Sequence, residues 1–510
     1  MHGKLEGTYD LILYGLGVMG ENFIRNFARQ GYRVIGVNRT VATTRDFAAK
    51  VQEEDVAERV GTADTLQDAV PYLKESGGAV IAMIKANDPM TEAWGPIDEL
   101  FFTGSQAKFE DRREDIPALC DLVPEGTVII DAANSHPRDT ARRAREMEER
   151  GHLFLGAGVS GGAEGALYGP SIMPGGSKRA YSLVGEMLES AAADADGPCC
   201  TYTGGGGAGH LVKIVHNGIE YGIMQALAEV YYSLRYALDR EPSELHPLFQ
   251  KMASGREGGY LTEITAELLG MEDGDTGRPM LDVIQDTASQ KGTGKWTSQF
   301  AFDLGVPVPT ITAALEARNI SALKDERTQA SRSINRETLG ADIEEDKFVA
   351  AARDALYGSM IAAYAQGLAV LQAAAEEPED KNGGACALEL GLGGVADLWK
   401  GGCIIRSKLL YPIQEAFEEN PDLPNLLVAP RFREILSDRQ FQRNWRGFVS
   451  NLGKLGLPRN ALSSSLNYVD DYSTERLAAD MIQGQRDRFG HHGFRRTDRE
   501  GEDFHLTGLE

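Results

Sequence analysis

Short apolar runs alternate with amphipathic stretches through the first two hundred residues of this 510-residue chain. Asp10-Leu-Ile-Leu-Tyr14, Tyr32-Arg-Val-Ile-Gly-Val37, Ala79-Val-Ile-Ala-Met-Ile84, Thr127-Val-Ile-Ile130 and Leu153-Phe-Leu155 read as strands. Asn22 to Arg29 carries the spacing of a helix face. Strands alternating with helices predict a parallel sheet covered by helices, an α/β domain. Residues 87–121 are acidic and less regular, which reads as an inserted helix and loop. Beyond the glycine run Gly204–Gly207 the pattern changes. From His210 to about Tyr472, long amphipathic stretches with few β-branched clusters predict a mainly helical domain. The expected division is an α/β domain over 1–206, an all-helical domain over 207–474 and a C-terminal tail over 475–510.

Composition narrows the class. A hydrophobic fraction of 42% with 25% charged residues is that of a soluble globular protein. The sequence holds no run of eighteen apolar residues for a membrane span, and its first residues lack the apolar core of a signal peptide. The five cysteines show no Cys-x-x-Cys spacing, so free thiols in a reducing cytoplasm are expected, without structural zinc. A net charge of −24 argues against nucleic-acid binding, which needs a basic footprint. It also repels anions at long range, so any anion site must be built from local Arg and Lys groups.

Chemistry gathers in a few segments. Lys213, His216, Asn217, Glu220 and Tyr221 fall within an arc of roughly 140° on one helix face at about 100° per residue. Val215, Gly218, Ile219, Gly222 and Ile223 form the opposite, apolar and small back. Two readings fit this spacing: a surface helix decorated by a Lys–Glu pair, or a helix seated rigidly so that its polar groups serve a site. Gly15-Leu16-Gly17-Val18-Met19-Gly20 follows an apolar strand and opens a helix, the context in which such glycines let backbone approach a pyrophosphate. At the end of the second strand, Asn38-Arg39-Thr40 replaces the acid that grips both ribose hydroxyls of NAD. An amide, a guanidinium and a hydroxyl suit a 2′-phosphate instead, so NADP is the expected cofactor. Val159-Ser160-Gly161-Gly162 through Gly176 reads as a loop rich in N–H donors, either a carboxylate or sugar cradle or a domain-joining loop. Gln290-Lys291-Gly292-Thr293-Gly294-Lys295 lacks the first glycine of a nucleotide-triphosphate loop, and Lys291 or Thr293 suits a phosphate contact or a helix start. Arg318 lies in a helical segment. The tail carries Arg486, Arg488, Arg495, Arg496 and Arg499 with His491 and His492, and no acidic cluster beside those histidines suggests a metal.

Taken together these segments resemble the decarboxylating 6-phosphogluconate dehydrogenases over about Leu11 to Gly490. Beside the motifs above, the resemblance rests on Tyr-Gly-Pro-Ser-Ile-Met-Pro-Gly-Gly, Leu-Lys-Asp-Glu-Arg, Trp-Lys-Gly-Gly-Cys-Ile-Ile-Arg-Ser and Gln-Arg-Asp-Arg-Phe-Gly, in the family's order. It implies a Rossmann-like doubly wound domain, a large all-helical domain, and a tail that enters the partner of a homodimer. It implies oxidation of 6-phospho-D-gluconate by NADP to ribulose 5-phosphate, CO2 and NADPH in the pentose phosphate pathway. By position, Lys213 is then the base and Glu220 the acid. Asn134, Ser160, Gly161, Gly162, His216, Asn217 and Tyr221 hold the sugar, and Lys291, Thr293 and Arg318 its phosphate, joined by Arg486 and His492 of the tail. Residues 15–20, Asn38, Arg39, Thr40, Ile84, Lys85, Ala86 and Asn134 hold the cofactor. The chain departs from the family at Gly17, at Asp131-Ala-Ala-Asn134, at Leu167, and after Ala86, where Asn87 opens the long insertion. A 3-hydroxyisobutyrate-type dehydrogenase, which is much shorter, and a catalytically silent NADP sensor are the competing readings.

Overall fold

A computed structural model describes residues 5–85, 95–288, 292–341, 343–376, 386–501 and 504–506, with Thr293 by its backbone alone. Its strands are β1 (Leu11–Tyr14), β2 (Val34–Val37), β3 (Val60–Thr62), β4 (Ala79–Ala82), β5 (Ser105–Lys108), β6 (Arg113–Ile116), β7 (Val128–Asp131), β8 (Leu153–Ser160) and β9 (Ser171–Gly176). Seven of them form one sheet in the order β3-β2-β1-β4-β7-β8-β9. All neighbours in it run parallel except β9, which is antiparallel to β8. β1, β2, β4 and β7 are buried throughout, because helices cover both faces of a parallel sheet and every position then meets a core. The order reverses between β1 and β4, which opens a crevice beyond their carboxyl ends.

The structure adds elements that the hydrophobic pattern hides. Val159–Gly176, expected as loop, contains the end of β8, a helix over Gly162–Tyr168 and the edge strand β9. Pro174 is tolerated in β9 because an edge strand needs no ladder donor on its open side, and its carbonyl accepts Thr203 instead. In the inserted segment, helical turns over Pro96–Asp98 and Glu99–Thr103 lead into a β5–β6 hairpin rather than a loop. Ala107 and Ile116 of that hairpin join the core on one face of the main sheet.

The 31-residue helix Ala208–Leu238 links the two halves of the molecule. Its start lies on β8 and β9, and its later turns pack against helices Thr293–Asp303, Pro309–Ala322, Glu345–Glu376 and Asn460–Tyr472. Glycine allows the first contact. A Cβ at Gly209 would lie 2.2 Å from the Gly156 carbonyl oxygen, and one at Gly158 would lie 2.4 Å from Lys213 Cβ. The expected small back does seat the helix: Val215, Gly218, Ile219, Gly222 and Ile223 are all buried. Gly158→Ala is therefore expected to displace Lys213 or the strand, costing about 1–3 kcal/mol as overpacking does. Chemical denaturation of that variant checks this, and an unchanged midpoint would contradict the contact.

Candidate active site

The carboxyl ends of the parallel strands carry the N-terminal site residues. Gly15 follows β1, Asn38 follows β2, Ile84 and Lys85 follow β4, Asn134 follows β7, and Ser160 ends β8. A cavity of about 1170 Å³ opens there, lined among others by Gly15, Gly17, Asn38, Arg39, Thr40, Ile84 and Lys85. Gly15 holds a φ of 116° that admits it below the β4 exit, where a Cβ would sit 2.3 Å from the Met83 carbonyl oxygen. At Gly17 a Cβ would meet nothing within 4 Å, so that glycine leaves open approach to the backbone at the N-terminus of helix Val18–Arg29. Asn38 Oδ1 accepts the Leu16 N–H at 3.0 Å and its Nδ2 donates to the Thr40 carbonyl, so Asn38 shapes the glycine turn. Arg39 and Thr40 are exposed beside the cavity. A pyrophosphate at the glycine turn and a phosphorylated ribose at Arg39 fit this cradle. Ala86 lies outside the described residues.

The expected polar face is largely buried. Lys213, His216, Asn217 and Tyr221 are buried and Glu220 is half-buried. Ser160 Oγ and His216 Nε2 share a hydrogen bond at 3.1 Å, and Asn217 Oδ1 accepts from His216 Nδ1–H at 3.0 Å. Burial, reinforced by the neighbouring Lys213, pushes His216 well below its usual range and so favours the neutral imidazole. Burial also lowers Lys213, against the opposing pull of Glu220 and Cys403. It raises Glu220, against Lys213 and Arg318. An amine shifted toward its free base and a carboxyl shifted toward its acid therefore share one helix face, about 10 Å apart along the axis for seven residues.

Further groups close around this face. Gly161, at φ 131°, packs below the Gly402 carbonyl, where a Cβ would come within 2.4 Å. The Arg318 guanidinium sits 3.5 Å from the centroid of the Tyr221 ring. Gly294, next to Thr293, abuts the same ring, since a Cβ there would lie 2.5 Å from it. Thr293 opens helix Thr293–Asp303, and Lys291 lies outside the described residues. Asn134 is exposed in a turn held by Asp131, whose carboxylate accepts Ala133 N–H at 3.0 Å and Ser135 Oγ–H at 2.7 Å. His136 then packs edge-on to Trp296 at 5.6 Å, which joins that turn to the Thr293 helix.

Two expected residues stand apart. Arg486 and His492 are exposed on and just after the tail helix Ala479–Gly490, where Arg486 bonds Gln483 and His492 packs on Phe489. The tail also gathers Asp487, His491 and His505, an acid–histidine cluster that only the fold of the tail brings together. Asp487 accepts the Leu506 and Gly493 N–H groups and His505 Nδ1, which hold its carboxyl down at about 2. Its oxygens are thus engaged in clasping the tail.

Arg143, not among the expected residues, is completely buried between Asp98 and Asp131 at 2.8 and 3.1 Å. Its position inside a charged amphipathic helix gave no signal. Tyr14, Ser105, Gln106, Lys108 and Arg113 of the cavity lining were likewise not expected.

Fold and site together define a dinucleotide-binding α/β domain followed by a helical domain with a buried lysine face. The pattern described as the NAD binding domain of 6-phosphogluconate dehydrogenase matches residues 10–204, and that of the C-terminal domain of the same enzyme matches 209–507. The chain belongs to the 6-phosphogluconate dehydrogenase family. It is 41% identical over 489 residues to the NADP(+)-dependent, decarboxylating 6-phosphogluconate dehydrogenase of Bacillus subtilis, covering 96% of each chain. The decarboxylating 6-phosphogluconate dehydrogenase of Synechococcus elongatus is 42% identical, covering 97% of this chain and 98% of that one. The solved Plasmodium falciparum 6-phosphogluconate dehydrogenase, studied in its apo form and in complex with its cofactor NADP+ and its substrate 6-phosphogluconate, superposes with a TM-score of 0.87 at 35% identity. That match covers 98% of this chain and 100% of the other.

Proposed function

We propose that this protein oxidises and decarboxylates 6-phospho-D-gluconate with NADP, giving D-ribulose 5-phosphate, CO2 and NADPH. The observation that carries the reading is the buried Lys213, shifted toward its neutral form and followed two turns later by a carboxyl shifted toward its acid form. Family membership over nearly the whole chain supports the substrate and cofactor. NADP would be held by the Gly15–Gly20 turn, Arg39 and Thr40, with Ile84, Lys85, Ala86 and Asn134 alongside. When bound it supplies the hydride acceptor for C3 of the sugar.

The chain's own groups supply the proton chemistry. Neutral Lys213 removes the C3 hydroxyl proton as that carbon is oxidised, which an ordinary, protonated lysine cannot do. The protonated Lys213 then polarises the new carbonyl of the β-keto acid and gives its proton to that oxygen, so that the C1 carboxylate leaves as CO2 and its bonding electrons form a C2–C3 enediol. Glu220 delivers a proton to the carbon that carried the carboxylate, C2 of the substrate and C1 of the product, while Lys213 takes back the proton of the C3 hydroxyl, giving the ketose. Ser160, Gly161, Gly162, Asn134, His216, Asn217 and Tyr221 position the hydroxyl chain, and Arg318 with Lys291 and Thr293 takes the phosphate.

Leu477, Met481, Ile482 and Phe489 are exposed on a tail whose helix buries only Asp487, an arrangement that suits docking on a second copy. Arg486 and His492 would complete the partner's phosphate pocket in a homodimer. Inactive Lys213→Met and Arg486→Met chains, refolded together, are then expected to recover activity in mixed dimers; no recovery would contradict a shared site. We place the enzyme in the cytoplasm. Among the described residues no helix is long and apolar enough to cross a membrane.

The function is tested by absorbance at 340 nm with 6-phosphogluconate and NADP, alongside CO2 capture. Equimolar NADPH and CO2 are expected. NADPH without CO2 would point to a simple hydroxyacid dehydrogenase, and cofactor binding without turnover to a sensor. Glu220→Gln is expected to leave the first formation of NADPH intact while slowing turnover by about 10²-fold or more, as loss of a general acid does. Equal slowing of both steps would contradict its later role.

A further inference from the structure

The inserted hairpin β5–β6 does not hang free of the cofactor domain. Lys108 N–H donates to the Arg39 carbonyl at 2.7 Å, and Thr40 and Lys108 pair as an isolated parallel bridge. The hairpin is thus stitched by backbone to the turn that follows β2. Its register sets Lys108 opposite Arg113 and Gln106 opposite Asp115. Cross-strand partners and residues two apart share one face, and these four side chains all line the 1170 Å³ cavity. Ala107, between them, faces the other way and is buried. Gln106 Nε2 donates to Asp115 Oδ1 at 2.8 Å, which engages the acid of that face. Arg39, Lys108 and Arg113 have no ion pair among the described residues. In a chain of net charge −24, the cations Arg39, Lys85, Lys108 and Arg113 outnumber the acids Glu99 and Asp115 in this cavity lining, a local excess that favours an anion.

We propose that the hairpin is a working part of the dinucleotide site, with Lys108, supported by Arg113, binding the 2′-phosphate of the adenosine ribose opposite Arg39. The inference rests on the NADP reading and extends it to the β5–β6 hairpin. Lys108 and Arg113 act as specificity-determining residues that select a 2′-phosphorylated nucleotide and leave the chemistry at Lys213 untouched. Lys108 is the stronger contributor because its own backbone is anchored to the Arg39 turn.

The test is calorimetric binding of adenosine 2′,5′-bisphosphate and of ADP to the full-length protein, with no catalysis involved. The unmodified protein is expected to prefer the bisphosphate. Lys108→Met is expected to weaken the bisphosphate about tenfold, the loss of one charge-assisted contact, with ADP changed by less than about twofold. Arg113→Met should act in the same direction, and Lys108→Arg should retain most of the affinity. Bisphosphate binding unchanged in both methionine variants would overturn the proposal, as would equal weakening of the two nucleotides, which marks a merely structural hairpin. If the unmodified protein binds both ligands alike, the NADP reading itself falls. A preference for the bisphosphate that survives both substitutions removes only the role given to the hairpin.

Discussion

Replacing Lys213 by Met is expected to lower kcat by about 10²–10⁴-fold, the range that a positioned general base contributes. The same change should make the protein more stable. Burial depresses the folded-state pKa of Lys213 below its unfolded value, so the unfolded chain binds more protons in the interval between them. Stability then rises with pH, and the contribution of this group is complete only above the unfolded lysine value. It is lost as pH falls toward the folded value. Met carries no charge to desolvate and roughly fills the volume, so the variant should gain stability over the parent, and gain more near pH 7 than near pH 10. Urea unfolding at both conditions checks this. A variant that is inactive and also less stable at neutral pH would mean that Lys213 is held by interactions its geometry does not reveal.

Arg143→Met is expected to cost about 3–5 kcal/mol, the usual penalty for breaking a buried charge pair from one side. Arg143 Nε and Nη2 donate to the two oxygens of Asp98 at 2.8 and 3.1 Å, and Nη1 donates to Asp131 Oδ2 at 3.1 Å. Burial alone would raise Asp98; the guanidiniums of Arg143 and Arg142 outweigh it and hold its carboxyl low. Removing Arg143 strands Asp131 and deprives Asp98 of its deeper partner. Asp131 also fixes the turn that carries Asn134, so KM for 6-phosphogluconate should rise with the loss of stability. Arg143→Lys should rescue little, since one ammonium cannot serve both carboxylates with the same geometry. A loss below about 1 kcal/mol in chemical denaturation would be at odds with a buried network and resemble a surface pair.

Much of this was legible in the chain. The apolar runs at β1, β2, β4, β7 and β8 were plain because a strand covered on both faces has no polar alternation to confuse it. The glycines after β1 and the polar face of Lys213–Tyr221 also stood out, since each motif is contiguous in sequence. Other features were hidden for physical reasons. β9 is written Ser-Ile-Met-Pro-Gly-Gly, whose proline and glycines suit an edge strand but look like a loop. The β5–β6 hairpin has little apolar sequence of its own and is held by Ala107, Ile116 and a backbone bond to Arg39. Periodicity showed that Lys213 shares a face with Glu220, but not that this face lies under β8. Burial of the amine depends on Gly158 and Gly209, far apart in sequence and joined only by the fold.

The central claim is that a buried, neutral Lys213 takes the C3 hydroxyl proton. Its most direct test is the single-turnover rate of NADPH formation from 6-phosphogluconate, followed from about pH 6 to pH 10 in the parent and in Lys213→Met. The parent should lose rate toward acid through a group that titrates below ordinary lysine, and the variant should keep only a slow rate without that titration. A Lys213→Met enzyme that forms NADPH at the parental rate, with the same pH dependence, would contradict the account.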